Sequence, residues 1–316
     1  MTGLVVLAAH VALMLALAPV LVGFIRRVKA RALGRVGPPV MQPWRDLRRL
    51  ARKQPVLAAN ASWLFAAAPA AGFAATLAAA ALVPGFALGM ATASLADLIV
   101  IAGLLTLARC VLALAALDTG TAFGGIGASR DMTFATFAEP AMMLVIFTLA
   151  LMLGTTNLDA IALVLRDATV GLRVSLGLAL VAIVAVAIAE TGRIPVDNPA
   201  THLELTMVHE AMVLEYSGRH LALIEWAAAL RLLLWMTLIA AIFAPFGIAT
   251  PQSGPLGWLL AVPLWMAKVG VTATVLALFE SAIAKMRVFR VPEFLGIAVL
   301  LGLLAAVFLF VSQGIA

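Results

Sequence analysis

The sequence predicts an all-α polytopic membrane protein with about eight transmembrane helices and amphipathic cytoplasmic connections. Hydrophobic residues make up 64% of the 316 residues and charged residues only 11%, against roughly 25% charged in soluble proteins, and the mean hydropathy is +1.12. The apolar residues also form separate stretches of about 20, the length that a helix needs to cross a bilayer. The expected spans are residues 2–25, 61–83, 96–117, 135–154, 171–190, 221–245, 257–283 and 293–312.

The basic residues mark one set of connections between these spans. Ten of the 21 Lys and Arg lie between Arg26 and Lys53, and six more lie on connections 3–4, 5–6 and 7–8. The positive-inside rule therefore predicts that these connections are cytoplasmic and that both termini lie outside. Because the cations lie beside membrane spans, they do not indicate a nucleic-acid surface. We expect a single integral membrane domain over residues 1–316, with a cytoplasmic acidic loop at about 190–220.

The first span has no basic segment before it and a run of cations after it, so it is not expected to be a cleaved signal peptide.

The first connection is predicted to contain a short amphipathic helix. Pro43 could then begin a helix with Trp44, Leu47 and Leu50 on one side and cations on the other. Such a helix would lie in the membrane interface. The alternative is a topology anchor with no further role.

Two features lie near the start of the expected fourth span: a glycine-rich stretch before it, and Glu139-Pro140 within it. The stretch Gly124-Gly-Ile-Gly127 lacks the Gly-x-Gly-x-x-Gly spacing and follows no strand, so we interpret it as a flexible connection rather than a nucleotide-binding loop. Pro140 disfavours a regular helix at Glu139. A helix that begins near Thr136 would make Glu139 a capping acid, which is the structural alternative to a functional role.

The most informative segment runs from Glu190 to Gly218, where acids are concentrated in an otherwise apolar chain. Charge beside a bilayer core costs several kcal/mol per group unless it is solvated, paired or used, so acids kept there are expected to have a use. A metal site is not expected, because Val213 stands where the His-Glu-x-x-His pattern needs its second histidine. The segment contains Glu190, Asp197, Glu204, Glu210 and Glu215, with His202 and His209.

The spacing of these acids suggests a proton path if the segment is helical. Glu204 and Glu215 are 11 residues apart, which at 100° per residue places them within about 20° on one helical face. Carboxyl groups whose pKa is raised by burial can accept and release protons near neutral pH. The structural alternative is that Thr201 and Glu204 form a capping box after Asn198-Pro199.

Ionisable residues also occur inside the expected spans. Each could pair with an opposite charge and join two helices, but together they favour a polar axis for protons or ions. Lys268 and Glu280 are about 18 Å apart along one helix, so each needs a partner on another span. The ionisable residues within spans are Arg109, Glu139, Glu190, Glu225, Arg231, Lys268 and Glu280.

These residues resemble a family of membrane proteins that includes the H-type membrane subunit of respiratory complex I and its relatives in membrane-bound hydrogenases. The acidic segment is similar to that family's cytoplasmic loop between spans 5 and 6, through Glu190, Arg193, Pro195, Asp197, Glu204 and Glu215-Tyr-Ser-Gly218. The positions of Ser129-Arg130, Glu139, Lys268 and Arg287 also fit the family pattern.

Two departures from the complex I pattern resemble the hydrogenase-4 and formate hydrogenlyase branch of this family. Only three residues separate Gly37-Pro38 from Gln42-Pro43, where the complex I proteins have a longer glycine-rich insert. Ala200 and His202 stand where the complex I loop has acids, and the stretch from Glu204 to Glu215 is longer. In complex I this loop helps to shape the quinone cavity, so the departures count against quinone binding.

The resemblance implies a non-catalytic anchor subunit in a bacterial inner membrane. It would dock a peripheral, hydrogenase-like redox arm on its cytoplasmic face and link that arm to antiporter-like membrane subunits. The single cysteine, Cys110, cannot hold an iron–sulfur cluster, which takes about four ligands. No cofactor is therefore expected in this chain, whereas the partner subunits would hold iron–sulfur clusters and a nickel–iron centre.

Three alternatives to this anchor subunit remain open: the quinone-site subunit of a complex I-type NADH:quinone oxidoreductase, a stand-alone ion transporter, and a scaffold with no proton pathway.

The expected site residues fall into two sets. The expected proton-pathway residues are Glu139, Glu190, Asp197, Glu204, Glu210, Glu215, Glu225, Lys268 and Glu280. Their expected charge partners are Arg109, Arg130, Arg193, Arg231 and Arg287.

Overall fold

A computed structural model describes residues 2–166, 174–197 and 207–314. Within these ranges the chain forms eleven α-helices and no β-strand beyond two isolated bridges, which confirms the all-α prediction. The helices are α1 (Thr2–Ala32), α2 (Gln42–Ala51), α3 (Trp63–Leu82), α4 (Leu98–Asp118), α5 (Ala122–Leu153), α6 (Leu158–Arg166), α7 (Val174–Glu190), α8 (His209–Val213), α9 (Gly218–Phe243), α10 (Gly254–Ala282) and α11 (Val291–Gly314).

Seven of these helices are long and apolar enough to cross a membrane: α1, α3, α4, α5, α9, α10 and α11. They match seven of the eight expected spans. The remaining expected span coincides with α7, of which 17 residues are described. Several of the helices that are long enough to cross a membrane expose large apolar side chains, such as Leu259 and Val271 of α10. A surface that faces the bilayer core is expected to be apolar.

Helix α9 lies at the centre of the bundle. Its residues Leu230, Leu233, Leu234 and Trp235 are fully buried, and the helix packs against α1, α2, α3, α7 and α10. Helix α11 packs against α5 and α7, and α3 packs against α4. The described residues 207–217 therefore lead directly into the central helix of the protein.

The fourth span is longer than expected, and the interpretation of Gly124–Gly127 as a flexible connection is wrong. Helix α5 begins at Ala122 with the Thr121 side chain as its N-cap and continues through Pro140. Gly127 is needed for close packing, because a Cβ there would lie within 3.0 Å of Val208 and Ala211. Glu139 consequently lies inside α5 and is not a capping acid at its start.

The amphipathic helix in the first connection is confirmed as α2, which begins one residue before Pro43. Leu47 is buried on one side of this helix, whereas Arg45 and Arg48 are exposed on the other. Trp44 Nε1 donates a 3.0 Å hydrogen bond to the carbonyl oxygen of Ala16 in α1. The amphipathic helix α2 is thus fixed to the first span.

Candidate functional site: a buried charged network beneath a polar cavity

Arg109 is the centre of a buried charged network. It lies on the buried face of α4, beside Ala108 and Leu112, and its own side chain is only 7% exposed. Its guanidinium pairs with Glu190 at the last residue of α7, and lies 3.5 Å from Asp131 and 3.6 Å from Glu139, both on α5. Three carboxylates from two helices therefore share one cation instead of each having its own.

The end of α7 is fixed by the residues that follow Glu190. Gly192 adopts a left-handed conformation with φ +58°, and the amide of Arg193 donates to the carbonyl of Ile188 at 3.0 Å. The amide of Gly192 also donates to Ala189 at 3.1 Å. This is the Schellman pattern that ends a helix at glycine. The sequence Glu190-Thr-Gly-Arg thereby places a carboxylate at the end of a helix and turns the chain away.

Glu139 has a second partner on α4. Thr106 Oγ1, on the turn before Arg109, donates a 3.2 Å hydrogen bond to Glu139 Oε1. The Glu139 side chain is 36% exposed, whereas that of Glu190 is 5% exposed. The network thus extends from a deeply buried carboxylate to one at its more accessible edge.

An inner cavity adjoins this network. It has a volume of about 50 Å³, and it is lined by Asp131, Glu190 and Arg231 together with Asp197 and His209. Arg231 of α9 brings a second guanidinium to the acids, and its buried Nε has no hydrogen-bond partner among the described residues. Protein atoms surround His209 closely, and this burial, with the positive charge of Arg231, lowers its pKa from 6.5 to about 4. His209 is therefore neutral at pH 7.

An outer cavity of about 370 Å³ lies between α1, α2, α9 and the acidic segment. It shares Asp197 and His209 with the inner cavity, along with Thr191, Gly192 and Ala228. Charged side chains of both signs line it: Arg26, Asp46, Arg49, Arg193, Asp197, Glu210 and Glu225. The two cavities therefore lie next to each other, between the Arg109 network and α2.

A second set of ion pairs borders the outer cavity. Glu280 of α10, whose side chain is 1% exposed, lies 3.0 Å from Lys29 of α1 and 3.6 Å from Arg193. Burial lowers the pKa of Arg193, although the nearby Glu280 carboxylate opposes this effect. Lys285, which follows α10, lies 2.7 Å from Asp197. The expectation that Glu280 pairs with another span is confirmed.

Lys268 lies apart from the acidic network. Its ammonium group donates to the carbonyls of Ala244, at 2.6 Å, and Phe246, and lies 4.3 Å from the centre of the Phe246 ring. These groups follow the C-terminal end of α9, whereas Glu225 and Arg231 lie more than three turns earlier. Lys268 therefore finds its partners in the turn after another span, and they are carbonyl groups.

The proposed carboxylate stripe from Glu204 to Glu215 is wrong, because it needs an uninterrupted helix. Met207 and Val208 are not helical, and α8 starts only at His209. Glu215 lies in the turn after α8 and is exposed. Glu204 itself, with His202 and the capping-box residues from Asn198 onward, lies outside the described residues.

Two of the expected charge partners have other positions. Arg130 of α5 donates a 2.9 Å hydrogen bond to the carbonyl of Met207, so its partner among the described residues is backbone and not a carboxylate. Arg287 is exposed on the connection between α10 and α11. Arg130 thus holds the described beginning of the α8 region against α5.

The Tyr-Ser-Gly sequence before α9 fixes the acidic segment to the connection between α2 and α3. Tyr216 stacks on the Phe65 ring at 4.0 Å and donates a 3.0 Å hydrogen bond to the Phe65 carbonyl, and burial raises its pKa. Ser217 accepts a 2.8 Å hydrogen bond from Val56. Gly218 has φ +56°, and a Cβ there would lie 2.5 Å from the carbonyl of Gln54. This motif has a structural role.

Three residues of the site, Asp131, Lys29 and Lys285, do not stand out in the sequence. Asp131 follows glycines that are typical of a connection, and the two lysines are visible only as topology markers. If the predicted α5 is extended back through the glycines, Asp131 lies two turns before Glu139 on the same helix, and this spacing could have identified it.

The described residues contain no group of three or more His, Cys, Asp or Glu side chains arranged to hold a metal ion.

Taken together, these features define a multi-pass, all-helical membrane protein with a buried charged network beneath a polar cavity. By sequence, the chain belongs to the NADH dehydrogenase family, whose model matches residues 4–312. The resemblance to the H-type membrane proteins of complex I and to their hydrogenase branch is therefore confirmed.

Two relatives from Escherichia coli (strain K12) are similar over most of their length. Formate hydrogenlyase subunit 4 is 31% identical over 279 residues, which cover 88% of this chain and 89% of the relative. Hydrogenase-4 component C is 33% identical over 247 residues, which cover 78% of this chain and 76% of the relative.

A solved structure has the same fold. A chain of the membrane-bound sulfane sulfur reductase, an archaeal respiratory membrane complex, superimposes with a TM-score of 0.82 over 97% of this chain and 99% of its own length. Its sequence is 19% identical, so the likeness concerns the fold alone.

Proposed function

We propose that this chain is the membrane anchor and proton-coupling subunit of a group 4 membrane-bound nickel–iron hydrogenase complex of the formate hydrogenlyase or hydrogenase-4 type. The proposal is supported by the names of two similar relatives, formate hydrogenlyase subunit 4 and hydrogenase-4 component C. In this role the chain performs no redox chemistry itself. It docks a peripheral arm with iron–sulfur clusters and a nickel–iron centre, and joins that arm to antiporter-like membrane subunits.

The observation that supports proton coupling is the sharing of Arg109 by three carboxylates. Like charges around one site disfavour simultaneous ionisation, so protonation of one carboxyl changes the proton affinity of its neighbours. Even with Arg231 included, the acids Asp131, Glu139 and Glu190 outnumber the guanidiniums. A charge change at the inner cavity would therefore shift protons within the network.

The two adjoining cavities support a route to the cytoplasm. Events in the docked arm would first change the charge or hydration at Asp197, Glu210 and the neighbouring acids of the acidic segment, which include Glu204 and Glu215. Protons would pass through the inner cavity to Glu190 and Glu139, and then to the partner subunits. In this orientation both termini lie outside.

The deciding experiment measures coupling in the intact membrane complex. Glu139→Gln and Glu190→Gln keep the shape of each side chain and remove the titratable group. We expect both variants to assemble, and to lose proton translocation while the arm still turns over. Glu293→Gln, an exposed acid at the start of α11, is the matched control and should translocate normally. Unchanged coupling in both test variants, with normal assembly, would favour a purely structural scaffold.

The position of the outer cavity beside α1 and the acidic segment favours the quinone-site alternative. A quinone site is expected to be a mostly apolar pocket with few polar groups, whereas acids and arginines line this cavity. Subunit analysis after mild detergent extraction separates the two functions. A co-purifying nickel–iron large subunit supports the proposal, and a quinone-reducing arm without it refutes the proposal.

A further inference from the structure

A groove on the opposite side of α2 differs sharply from the outer cavity. This second space, which we call the α2 groove, has a volume of about 970 Å³ and lies between α2, α3 and α9. Small residues form part of its surface: Ala66 and Ala70 of α3 and Ala222 of α9. Such residues leave a shallow apolar channel along two membrane-spanning helices.

Two tryptophan rings line this groove and present apolar surface to it. Trp44 and Trp226 pack edge to face with their ring centres 5.4 Å apart. Their N–H groups are already used, because Trp44 donates to Ala16 and Trp226 donates to Leu15. A ligand in the groove therefore meets the hydrocarbon parts of both rings, as an acyl chain would require.

The rim of the α2 groove is cationic. Arg45 and Arg48 of α2 and Arg219 of α9 line it, all three are exposed, and no acid is among the described lining residues. The one acid of α2, Asp46, lines the outer cavity instead and lies 3.4 Å from Arg49. Helix α2 thus separates a space with charges of both signs from a space with cations alone.

We propose that the α2 groove binds an anionic phospholipid, with its phosphate headgroup at Arg45, Arg48 and Arg219 and an acyl chain along Trp44 and Trp226. Cations at the membrane surface attract anionic lipids, and arginine can bind phosphate oxygens through two parallel N–H groups. The buried Nδ1 atom of His220, which also lines the groove, has no hydrogen-bond partner in the part of the chain that the structure describes and adds a polar group near the headgroup. The site would anchor the interfacial helix next to the outer cavity.

The experiment uses the intact, detergent-purified complex and two photoreactive lipids with the same diazirine-labelled acyl chain. One lipid is phosphatidylglycerol, which is anionic, and the other is phosphatidylcholine, which is zwitterionic. After illumination, labelled peptides are mapped by mass spectrometry. We expect the anionic lipid to label Gln42–Ala51 and the first turns of α9 in clear preference to the zwitterionic lipid.

Charge variants test the headgroup contact. Replacing Arg45, Arg48 and Arg219 by Gln should reduce the preference for the anionic lipid by about five-fold per arginine. Arg52→Gln removes a cation that lies just after α2 and does not line the groove, so it should leave the preference unchanged. Equal labelling by both lipids in the unaltered complex would overturn the proposal. Labelling that excess quinone removes and excess unlabelled phosphatidylglycerol does not would also overturn it.

Discussion

Arg109 and Glu190 lie 81 residues apart in the sequence and form a buried ion pair that joins the middle of α4 to the end of α7. Asp131 and Glu139 approach the same guanidinium from α5. One arginine therefore holds together three helices and balances charge that the bilayer core would otherwise penalise. This dependence makes its removal costly.

Arg109→Gln is expected to destabilise the protein by about 3–5 kcal/mol, because it leaves buried carboxylates without their cation. Thermal unfolding of the detergent-solubilised complex measures the loss, and the amount of chain in the membrane reports a failure to fold. Arg35→Gln, at an exposed position, is the control and should change stability by no more than about 0.5 kcal/mol. Equal stability of the two variants would contradict the central role of Arg109.

Asp131→Asn tests the acid that does not stand out in the sequence. Its carboxylate lies 3.5 Å from Arg109 and lines the inner cavity with Glu190. If protons pass through this network, the variant should assemble and lose coupling as Glu190→Gln does. Proton translocation per arm turnover is the measurement. Normal translocation would place Asp131 outside the pathway and leave it a structural partner of Arg109.

The spans are predictable because membrane burial imposes a length and a composition on each helix. Local sequence does not predict the start of α5, since Gly124–Gly127 resembles a loop until its contacts with α4 and α8 are known. Asp131 is missed for that reason. Glu139 and Glu190 are found, because a charge within an apolar run is visible in the sequence. Which arginine they share is not predictable, as it depends on how α4, α5 and α7 pack.

The glycines of α5 provide a matched pair for testing the packing of the acidic segment. A Cβ on Gly127 would lie 2.9 Å from both Val208 and Met212, whereas a Cβ on Gly125 would have no neighbour within 4 Å. Gly127→Ala should therefore displace the α8 region and speed its cleavage in limited proteolysis. Gly125→Ala should leave cleavage unchanged and stabilise the helix by roughly 0.5–1 kcal/mol. Similar cleavage of both variants would show that Gly127 is not a tight contact.

His209 predicts a pH dependence of stability. Its pKa is about 4 in the folded protein against an ordinary value of 6.5, so between these values the unfolded chain binds a proton that the folded chain does not. The contribution of neutral His209 to the free energy of unfolding is fully present above pH 6.5 and is lost as the pH falls towards 4. His209→Gln should remove that loss. Unfolding temperatures of both proteins across this range are the measurement, and parallel curves would contradict the prediction.

Trp226 supports the first span at the point where Pro19 interrupts its hydrogen bonds. Proline has no N–H, so the carbonyl of Leu15, four residues earlier, lacks its helical donor, and Trp226 Nε1 donates to that carbonyl at 3.1 Å. Trp226→Phe keeps an aromatic ring and leaves the carbonyl unpaired, which should cost about 1–3 kcal/mol. Trp63→Phe, at a residue that is 79% exposed, is the control and should cost at most about 0.5 kcal/mol. Thermal unfolding in detergent measures both, and if the two variants lose equal stability, Trp226 does not replace the missing donor.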